Sequence, residues 1–578
     1  MEQRIQNWLS YEKLDEELAA ELRKIKDDDR ELKERFHQHL AFGTGGLRGV
    51  RGAGTNRMNI YTVRRAAEGV ARFLESEGAI AKEKGVAIAY DSRHHSRLYA
   101  ENAALTLAAH GIRTYLFDEL RPTPELSFAV RNLGAAAGIV ITASHNPPEY
   151  NGFKVYAADG GQITPATAEA IQAHMEDIEN ELLIPVMEWE EAKAKGLLQE
   201  LGEDMDEKYL SYLSGLTLFP SDFEEAKRQL RIVYTPLHGT GLKPVTAILN
   251  KMGFENVTVV PEQAEPDPQF STVQSPNPEE KKAFTHALRL AEKINADMVM
   301  GTDPDADRVG VVVRDQTGEF QVLTGNQLGA LLLYYILQRR QEMGKLPANG
   351  AMVKTIVTSE LGRAIADSFG VKTFDTLTGF KFIGEKITEF EQTGSHTFLF
   401  GYEESYGYLI GGEVRDKDAV QACMMAAEMT AYYKTQNKTL YDQLVTLWER
   451  YGYFMEDLLS LTMKGIEGME KIRAMMKQVR ENLPKQLGGR MVTSVEDYLS
   501  SRKTLWVNDG NHVREDVLTL PRADVVRVHL EGGSWFAVRP SGTEPKIKFY
   551  FGVREGSLEE AKNRLDSLKQ AVTEWMGI

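Results

Sequence analysis

Asp303, Asp305 and Asp307 stand at alternate positions of the segment Asp303-Pro304-Asp305-Ala306-Asp307-Arg308, just beyond the apolar run ending at Met300. Three carboxylates on one tight loop repel each other unless a cation lies among them, and hard oxygen donors select Mg²⁺ or Ca²⁺ over zinc. An EF-hand loop would need glycine at its sixth position and glutamate at its twelfth, where this chain has Arg308 and Arg314. A haloacid-dehalogenase-type phosphatase, with Asp303 as nucleophile, would need Thr or Val where Asp307 stands. Three protein carboxylates also leave a coordination place open for a phosphate oxygen.

A second segment offers the nucleophile. Residues 138–154 read GIVITASHNPPEYNGFK. The apolar run Gly138 to Ile141 breaks into Thr142-Ala143-Ser144-His145-Asn146-Pro147-Pro148, a strand ended by prolines. A hydroxyl beyond the C-terminal end of a buried strand points to where α/β sheets bind ligands; the bland alternative is an ordinary turn bonding its own backbone. Arg539-Pro540-Ser541-Gly542-Thr543-Glu544-Pro545 supplies a charged fork, two hydroxyls and a glycine-freed backbone, the donors a phosphate needs. Phe42-Gly43-Thr44-Gly45-Gly46-Leu47-Arg48-Gly49 is a glycine-rich loop without the Walker A ending, with Arg48 placed to reach a phosphate. Gly401-Tyr402-Glu403-Glu404-Ser405-Tyr406-Gly407 offers a carboxylate and a hydroxyl suited to vicinal sugar hydroxyls, or a solvated turn.

These segments need a scaffold. A chain of 578 residues exceeds one core and predicts roughly three to five domains. Short β-branched runs, among them Val86–Ala89, Thr114–Phe117, Arg231–Tyr234, Val257–Val260, Met298–Met300, Val309–Val313, Met352–Ile356 and Thr397–Phe400, alternate with helical stretches such as Val63–Glu77 and Ala100–Ala109. That alternation predicts parallel sheets with crossover helices in several α/β units. No fixed-period repeat is visible, but equivalent units with diverged sequence are expected. Segment 264–280, with four prolines, reads as an extended loop. From about Tyr451 a Met-rich amphipathic helix (Met463 to Leu483), read as core packing, leads to strands Val526–Leu530, Trp535–Val538 and Lys546–Val553 and a final helix, an α+β domain of its own.

Composition narrows the partners. A net charge of −16 argues against non-specific nucleic-acid or anionic-membrane binding. The single cysteine, Cys423, excludes an internal disulfide framework and fits a reducing cytosol. The first residues, MEQRIQNWLSYEKLDEEL, read as a polar amphipathic helix without a signal-peptide core. The longest apolar stretch, Leu328 to Leu337, is about half a bilayer span. A cytoplasmic location is expected.

TASHNP, DPDADR, GYEES and RPSGTEP, in that order, resemble the α-D-phosphohexomutase family, and FGTGGLRG and NGFK match it too. The resemblance runs from about Ala41 to Gly552. In length, and in TGFKFIG and EES, the chain is most similar to the larger phosphoglucomutases of that family. The resemblance implies four domains around a central cleft: three similar α/β units with mixed sheets and a C-terminal α+β, TATA-binding-protein-like domain. Boundaries are expected as 1–205, 206–320, 321–448 and 449–578, bearing in turn the phosphoserine, metal, sugar and phosphate loops.

The resemblance also implies a mechanism. Ser144 carries a phosphoryl group, and Ser144, Asp303, Asp305 and Asp307 share one Mg²⁺. The group passes to a sugar phosphate, giving glucose 1,6-bisphosphate, which turns over and returns its other phosphate. Arg539, Ser541, Gly542 and Thr543 anchor the unreacting phosphate, Glu403 and Ser405 hold sugar hydroxyls, and Arg308 and Lys381 face the substrate. Lys154 is the general acid/base, with Arg48 and His145 around the phosphoserine. The implied activity interconverts α-D-glucose 1-phosphate and glucose 6-phosphate in a monomer or weak homodimer. Alternatives are mannose or pentose phosphates, synthesis of the bisphosphate itself, an aspartate-nucleophile phosphatase, or sugar-phosphate binding without turnover. The chain departs from the family at Pro304, where many members have glycine, and at Tyr406-Gly407, where phosphomannomutase-type members often have Gly-His.

Overall fold

The computed structural model describes residues 1–463, 465–507, 512–541 and 546–578. Three sheets are built on one plan. In the first, Val86–Tyr90 lies between parallel neighbours Thr114–Phe117 and Ala137–Ile141, and Tyr150–Ala157 returns antiparallel beside Ala137–Ile141. In the second, Ile232–Thr235 lies between Val257–Val259 and Met298–Thr302, and Val309–Arg314 returns antiparallel. In the third, Gly350–Thr355 lies between Lys372–Thr376 and Thr397–Glu403, and Gly407–Leu409 returns antiparallel. The connection from the outer parallel strand to its antiparallel return comprises residues 142–149, 303–308 and 404–406. The serine, acidic and sugar segments are therefore one topological position used three times, although their sequences share no pattern.

The strands form where the sequence is apolar on both sides. Val86–Tyr90, Ala137–Ile141, Ile232–Thr235, Met298–Thr302 and Gly350–Thr355 are buried at every residue, as strands covered on both faces by helices must be. Burying about five such side chains contributes roughly 1.5–3 kcal/mol each before chain entropy is subtracted. The largest apolar cluster runs from Ala87 to Phe454 and joins the three units, so they support one another.

The C-terminal sheet is antiparallel, in the order Tyr453–Thr462, Lys546–Glu555, Trp535–Pro540, Val526–Leu530, Arg490–Asp497, Arg502–Val507 and His512–Val517. Alternation sorts its two faces. Phe536, Val538, Phe549 and Phe551 pack against Met475, Met476, Leu568 and Val572 of the helices Gly465–Glu481 and Leu558–Met576. Trp535, Ala537 and Tyr550 face the other way, onto Ile356, Val357 and Leu377 of the third unit. The Met-rich helix is core packing, as its composition predicts.

Two sequence expectations are corrected. The N-terminal stretch is three helices, Glu2–Ser10, Glu16–Ile25 and Asp29–Phe36, because Asp15 and Asp28 accept backbone N–H groups and restart the chain. Trp8, Leu22 and Phe36 bury together against Tyr61. The glycine-rich loop is not wholly a loop. Gly46–Val50 is an edge strand antiparallel to Tyr150–Ala157, and a Cβ at Gly152 would lie 2.4 Å from the Thr142 oxygen and 2.9 Å from the Leu47 oxygen.

Candidate active site

Ser144 sits directly on the acidic loop of the second unit: its Oγ donates to Asp303 Oδ2 at 2.8 Å. The residue is held at φ 51°, in the left-handed region that costs a non-glycine residue about 1–2 kcal/mol. The other two equivalent connections hold Ala306 at φ 49° and Tyr406 at φ 64°. Such outliers persist only where surroundings over-determine them. Around Ser144 the Thr142 hydroxyl accepts its N–H at 2.8 Å, and Arg93 does the rest. Arg93 Nη2 donates to the carbonyls of Ser144 and Asn146, each at 2.5 Å, and Nη1 to those of Pro147 and Tyr150 at 2.8 and 3.2 Å. Its guanidinium and the Asp91 carboxylate beside it are fully buried. His145 Nδ1 lies 3.1 Å from Ser144 Oγ, and burial with Arg308 and Arg48 nearby pushes the imidazole well below its usual range, so it is neutral. Arg48 is exposed and donates to Asn146 Oδ1 at 2.9 Å.

The three carboxylates are buried, not solvated. One oxygen from each lies within 4.8 Å of the others. Burial and the charges of Asp305 and Asp307 push Asp303 well above the usual carboxylate range. Burial opposes ionisation of Asp305 too, but Lys154 outweighs it and holds that carboxyl below its usual range. Lys154 Nζ donates to Asp305 Oδ2 at 2.8 Å and lies 3.5 Å from Asp307 Oδ2. Burial lowers the lysine and the two carboxylates raise it further, so it is held protonated. Among the described residues Asp305 Oδ1 and Asp307 Oδ1 are buried without a hydrogen-bond partner, although Arg308 Nε lies 3.8 Å from the latter. Unpartnered carboxylate oxygens converging on one point fit a hard divalent cation.

Three positioning groups were not legible as site residues. Thr123 donates its N–H to the Asp305 carbonyl and its hydroxyl to Asp305 Oδ2, both at 2.9 Å. Lys417, between Asp416 and Asp418, places Nζ 3.1 Å from Asp307 Oδ2 and 3.2 Å from Asp416 Oδ1. Arg93 follows the strand Val86–Tyr90, and a signal existed there: polar residues beyond the C-terminal end of a central parallel strand. The run Arg415-Asp416-Lys417-Asp418 was a second signal, an alternation of opposite charges that burial makes meaningful.

The third unit closes over this centre. Arg308 pairs by an isolated bridge with Gly407, and its guanidinium bonds Glu279 of the extended loop. Glu403 is buried, accepts the Gly379 N–H at 2.9 Å, and is pushed up to about 7 by burial and by Glu404. Ser405 is half-buried beside it. Lys381 Nζ donates to the Thr44 carbonyl of the glycine-rich segment at 3.1 Å, and its amine is pulled down to about 8 by burial and Arg539. Arg539 stands opposite Lys548 in the C-terminal sheet, and the Ser541 N–H bonds the Lys546 carbonyl at 2.8 Å. Burial and Arg539 also lower Lys548. Like charges facing across two strands are unfavourable by themselves, and Arg539 acts on Lys381 as well as on Lys548, so positive charge gathers here. Gly542 and Thr543 lie outside the described residues.

Comparison with known proteins finds the same succession of four domains. The chain matches family models described as Phosphoglucomutase/phosphomannomutase, alpha/beta/alpha domain I over residues 39–182, domain II over 207–318, domain III over 324–451 and the C-terminal domain over 475–567. It is 38% identical over 559 residues to the phosphoglucomutase of Staphylococcus haemolyticus, covering 96% of this chain and 97% of that one. It is 37% identical over 548 residues to that of Staphylococcus aureus strain USA300, covering 94% and 95%. Among solved structures, pp63/parafusin (phosphoglucomutase) from Paramecium in an open form has a TM-score of 0.68 at 18% identity, over 93% of this chain and 96% of that one. A phosphoglucomutase/phosphomannomutase family protein from Burkholderia thailandensis has a TM-score of 0.64 at 18% identity, over 92% and 97%.

Proposed function

The chain belongs to the phosphoglucomutase/phosphomannomutase family, and we propose that it is a phosphohexomutase interconverting α-D-glucose 1-phosphate and glucose 6-phosphate through a phosphorylated Ser144. The observation that carries the proposal is the 2.8 Å contact of the Ser144 hydroxyl with Asp303, which brings the nucleophile of one unit onto the carboxylates of the next. The Staphylococcus relatives bear the name phosphoglucomutase, which favours glucose over mannose or pentose phosphates.

Asp303, Asp305 and Asp307 fit Mg²⁺, and these three with an oxygen on phosphorylated Ser144 would hold it. When bound, Mg²⁺ supplies positive charge against the phosphoryl group in transfer. In the first half-reaction the bond from phosphorus to Ser144 Oγ breaks as one forms to the sugar's free hydroxyl. That hydroxyl's proton passes to Ser144 Oγ by way of Lys154 Nζ, which starts protonated between Asp305 and Asp307. Arg93 keeps the serine loop fixed meanwhile. Glucose 1,6-bisphosphate then turns within the site and returns its other phosphoryl group. Glu403 and Ser405 hold sugar hydroxyls in both orientations, Arg308 faces the substrate, and Arg539, Lys381 and Ser541, together with Gly542 and Thr543, take the phosphate that is not reacting. The divisions between units near residues 205, 320 and 448 are kept as part of this reading, each unit giving one loop.

Intact-mass measurement with phosphopeptide mapping tests it. Incubation with glucose 1,6-bisphosphate and Mg²⁺ should add one phosphate at Ser144, and glucose 1-phosphate should remove it. A chain never phosphorylated at Ser144, with activity surviving Ser144→Ala but not Asp303→Asn, would replace the mutase with the aspartate-nucleophile phosphatase.

A further inference from the structure

We propose that a cavity of about 390 Å³ between the first and second units is a second ligand site, and that it takes a small organic cation, an amidinium or guanidinium on an apolar body, with Glu125 as its acceptor. The helices Thr123–Leu133, Glu203–Ser214 and Leu242–Lys251 contribute its walls. Its volume is that of a small-molecule pocket, and such pockets combine apolar walls with a few placed polar groups. Leu210, Leu242, Pro244 and Ala247 supply the apolar surface.

The charges decide the class of ligand. Four acids line the cavity, Glu119, Glu125, Asp206 and Glu265, against Arg121 and Lys243. Both cations are already engaged. Arg121 grips Asp206 through Nε at 2.7 Å and Nη2 at 2.9 Å, and Lys243 pairs with Glu119 across the two units. Glu125 has no ion pair of its own, and its carboxyl is hydrogen-bonded with Asp206. It is 1% exposed, and its Oε1 has no hydrogen-bond partner among the described residues. A buried acceptor without a donor forfeits the hydrogen bond it had in water, which a ligand N–H restores. An amidinium matches a carboxylate with two parallel N–H···O bonds, whereas a neutral amide offers a weaker one. Burial and the hydrogen bond with Asp206 push the Glu125 carboxyl well above its usual range, so without a cation it keeps its proton, which it gives up to solvent when the amidinium binds.

The site is separate from the phosphoryl-transfer centre but shares its supports. Thr123, two residues before Glu125, holds Asp305, and the cavity residue Thr240 donates its N–H and hydroxyl to the Pro304 carbonyl at 2.8 and 2.9 Å.

Titration calorimetry of benzamidine against its neutral isostere benzamide tests it, on the full chain with glucose 1-phosphate and Mg²⁺ at saturation so that the catalytic site is filled. The expected result is one saturable benzamidine site, at least tenfold tighter than benzamide. Glu125→Gln, which keeps the shape, should erase that tenfold preference. Ala247→Phe, which fills the cavity from a half-buried wall, should weaken both compounds and decides the matter if Glu125→Gln fails to fold. No saturable binding to the unaltered protein, equal affinity for the two compounds, or benzamidine binding untouched by the folded variants would overturn the proposal.

Discussion

Replacing Arg93 with methionine tests the most consequential contact that the folded chain adds to its motifs. The arginine makes four hydrogen bonds to carbonyls of residues 144–150 and packs its charge 3.3 Å from Asp91, both side chains at 0% exposure. Methionine keeps most of the volume and removes every donor. Hydrogen bonds from a charged group contribute about 1.5–3 kcal/mol each, but four on one side chain do not add, and breaking a buried ion pair costs about 3–5 kcal/mol. A loss of about 4 kcal/mol is therefore expected, partly offset because Asp91 keeps the Ser96 hydroxyl at 2.7 Å and the Arg93 backbone N–H at 2.9 Å. That is a large share of a typical stability of roughly 5–15 kcal/mol. With its clamp gone, Ser144 should relax from φ 51° toward ordinary turn geometry. A displacement of about 1 Å at a reacting atom costs on the order of 100-fold in rate. Urea unfolding would measure the first effect. A coupled assay of glucose 6-phosphate formation, with the rate of Ser144 phosphorylation by glucose 1,6-bisphosphate, would measure the second. Arg93→Lys should recover stability more than rate, since it restores charge without the fork. A methionine variant within 1 kcal/mol of the parent's stability and threefold of its rate would refute the reasoning (about a quarter and under a tenth of the effects argued here).

Further outcomes follow from the same contacts. Lys154→Met should lower kcat by about 100- to 10,000-fold, the usual worth of a positioned acid/base, and flatten the pH–rate profile; an unaltered profile and rate would remove Lys154 from that role. Asp418 is fully buried and its carboxyl is raised to about 7 by burial, against its bonds to Gln421 and Tyr209. Its native form holds a proton that the unfolded chain releases near the ordinary value, so stability falls as pH rises from about 4 to 7 and the penalty is complete above that. Asp418→Asn, which still caps the helix Ala419–Lys434, should gain about 2–4 kcal/mol at pH 8 relative to pH 4; parallel stability curves for the two proteins would disprove it. A Cβ at Gly239 would come within 2.4 Å of Pro304 Cα. Gly239→Ala should thus shift the acidic loop and raise the Mg²⁺ concentration for half-maximal activity about tenfold, roughly 1.4 kcal/mol, and an unshifted Mg²⁺ titration would show that the loop yields freely.

Legibility in the sequence followed locality. Ser144, Asp303, Asp305, Asp307, Glu403 and Arg539 could be proposed from the sequence because each lies in a contiguous segment of chemically suited residue types, at or just beyond the end of an apolar strand. The alternation of strands and helices predicted several α/β units and a separate C-terminal α+β domain for the same reason: period is a local property. What the sequence could not determine was which distant groups meet. Arg93 reaches Ser144, Thr123 reaches Asp305 and Lys417 reaches Asp307 only because three sheets of one topology turn their equivalent connections toward a common point. The charge state of each acid was likewise a tertiary matter, since burial together with Asp305 and Asp307 raises Asp303, whereas Lys154 of the first unit lowers Asp305 against burial. Residue type sets what chemistry a chain can do; long-range packing sets the dielectric, the partners and the backbone strain that make one serine and three aspartates act together.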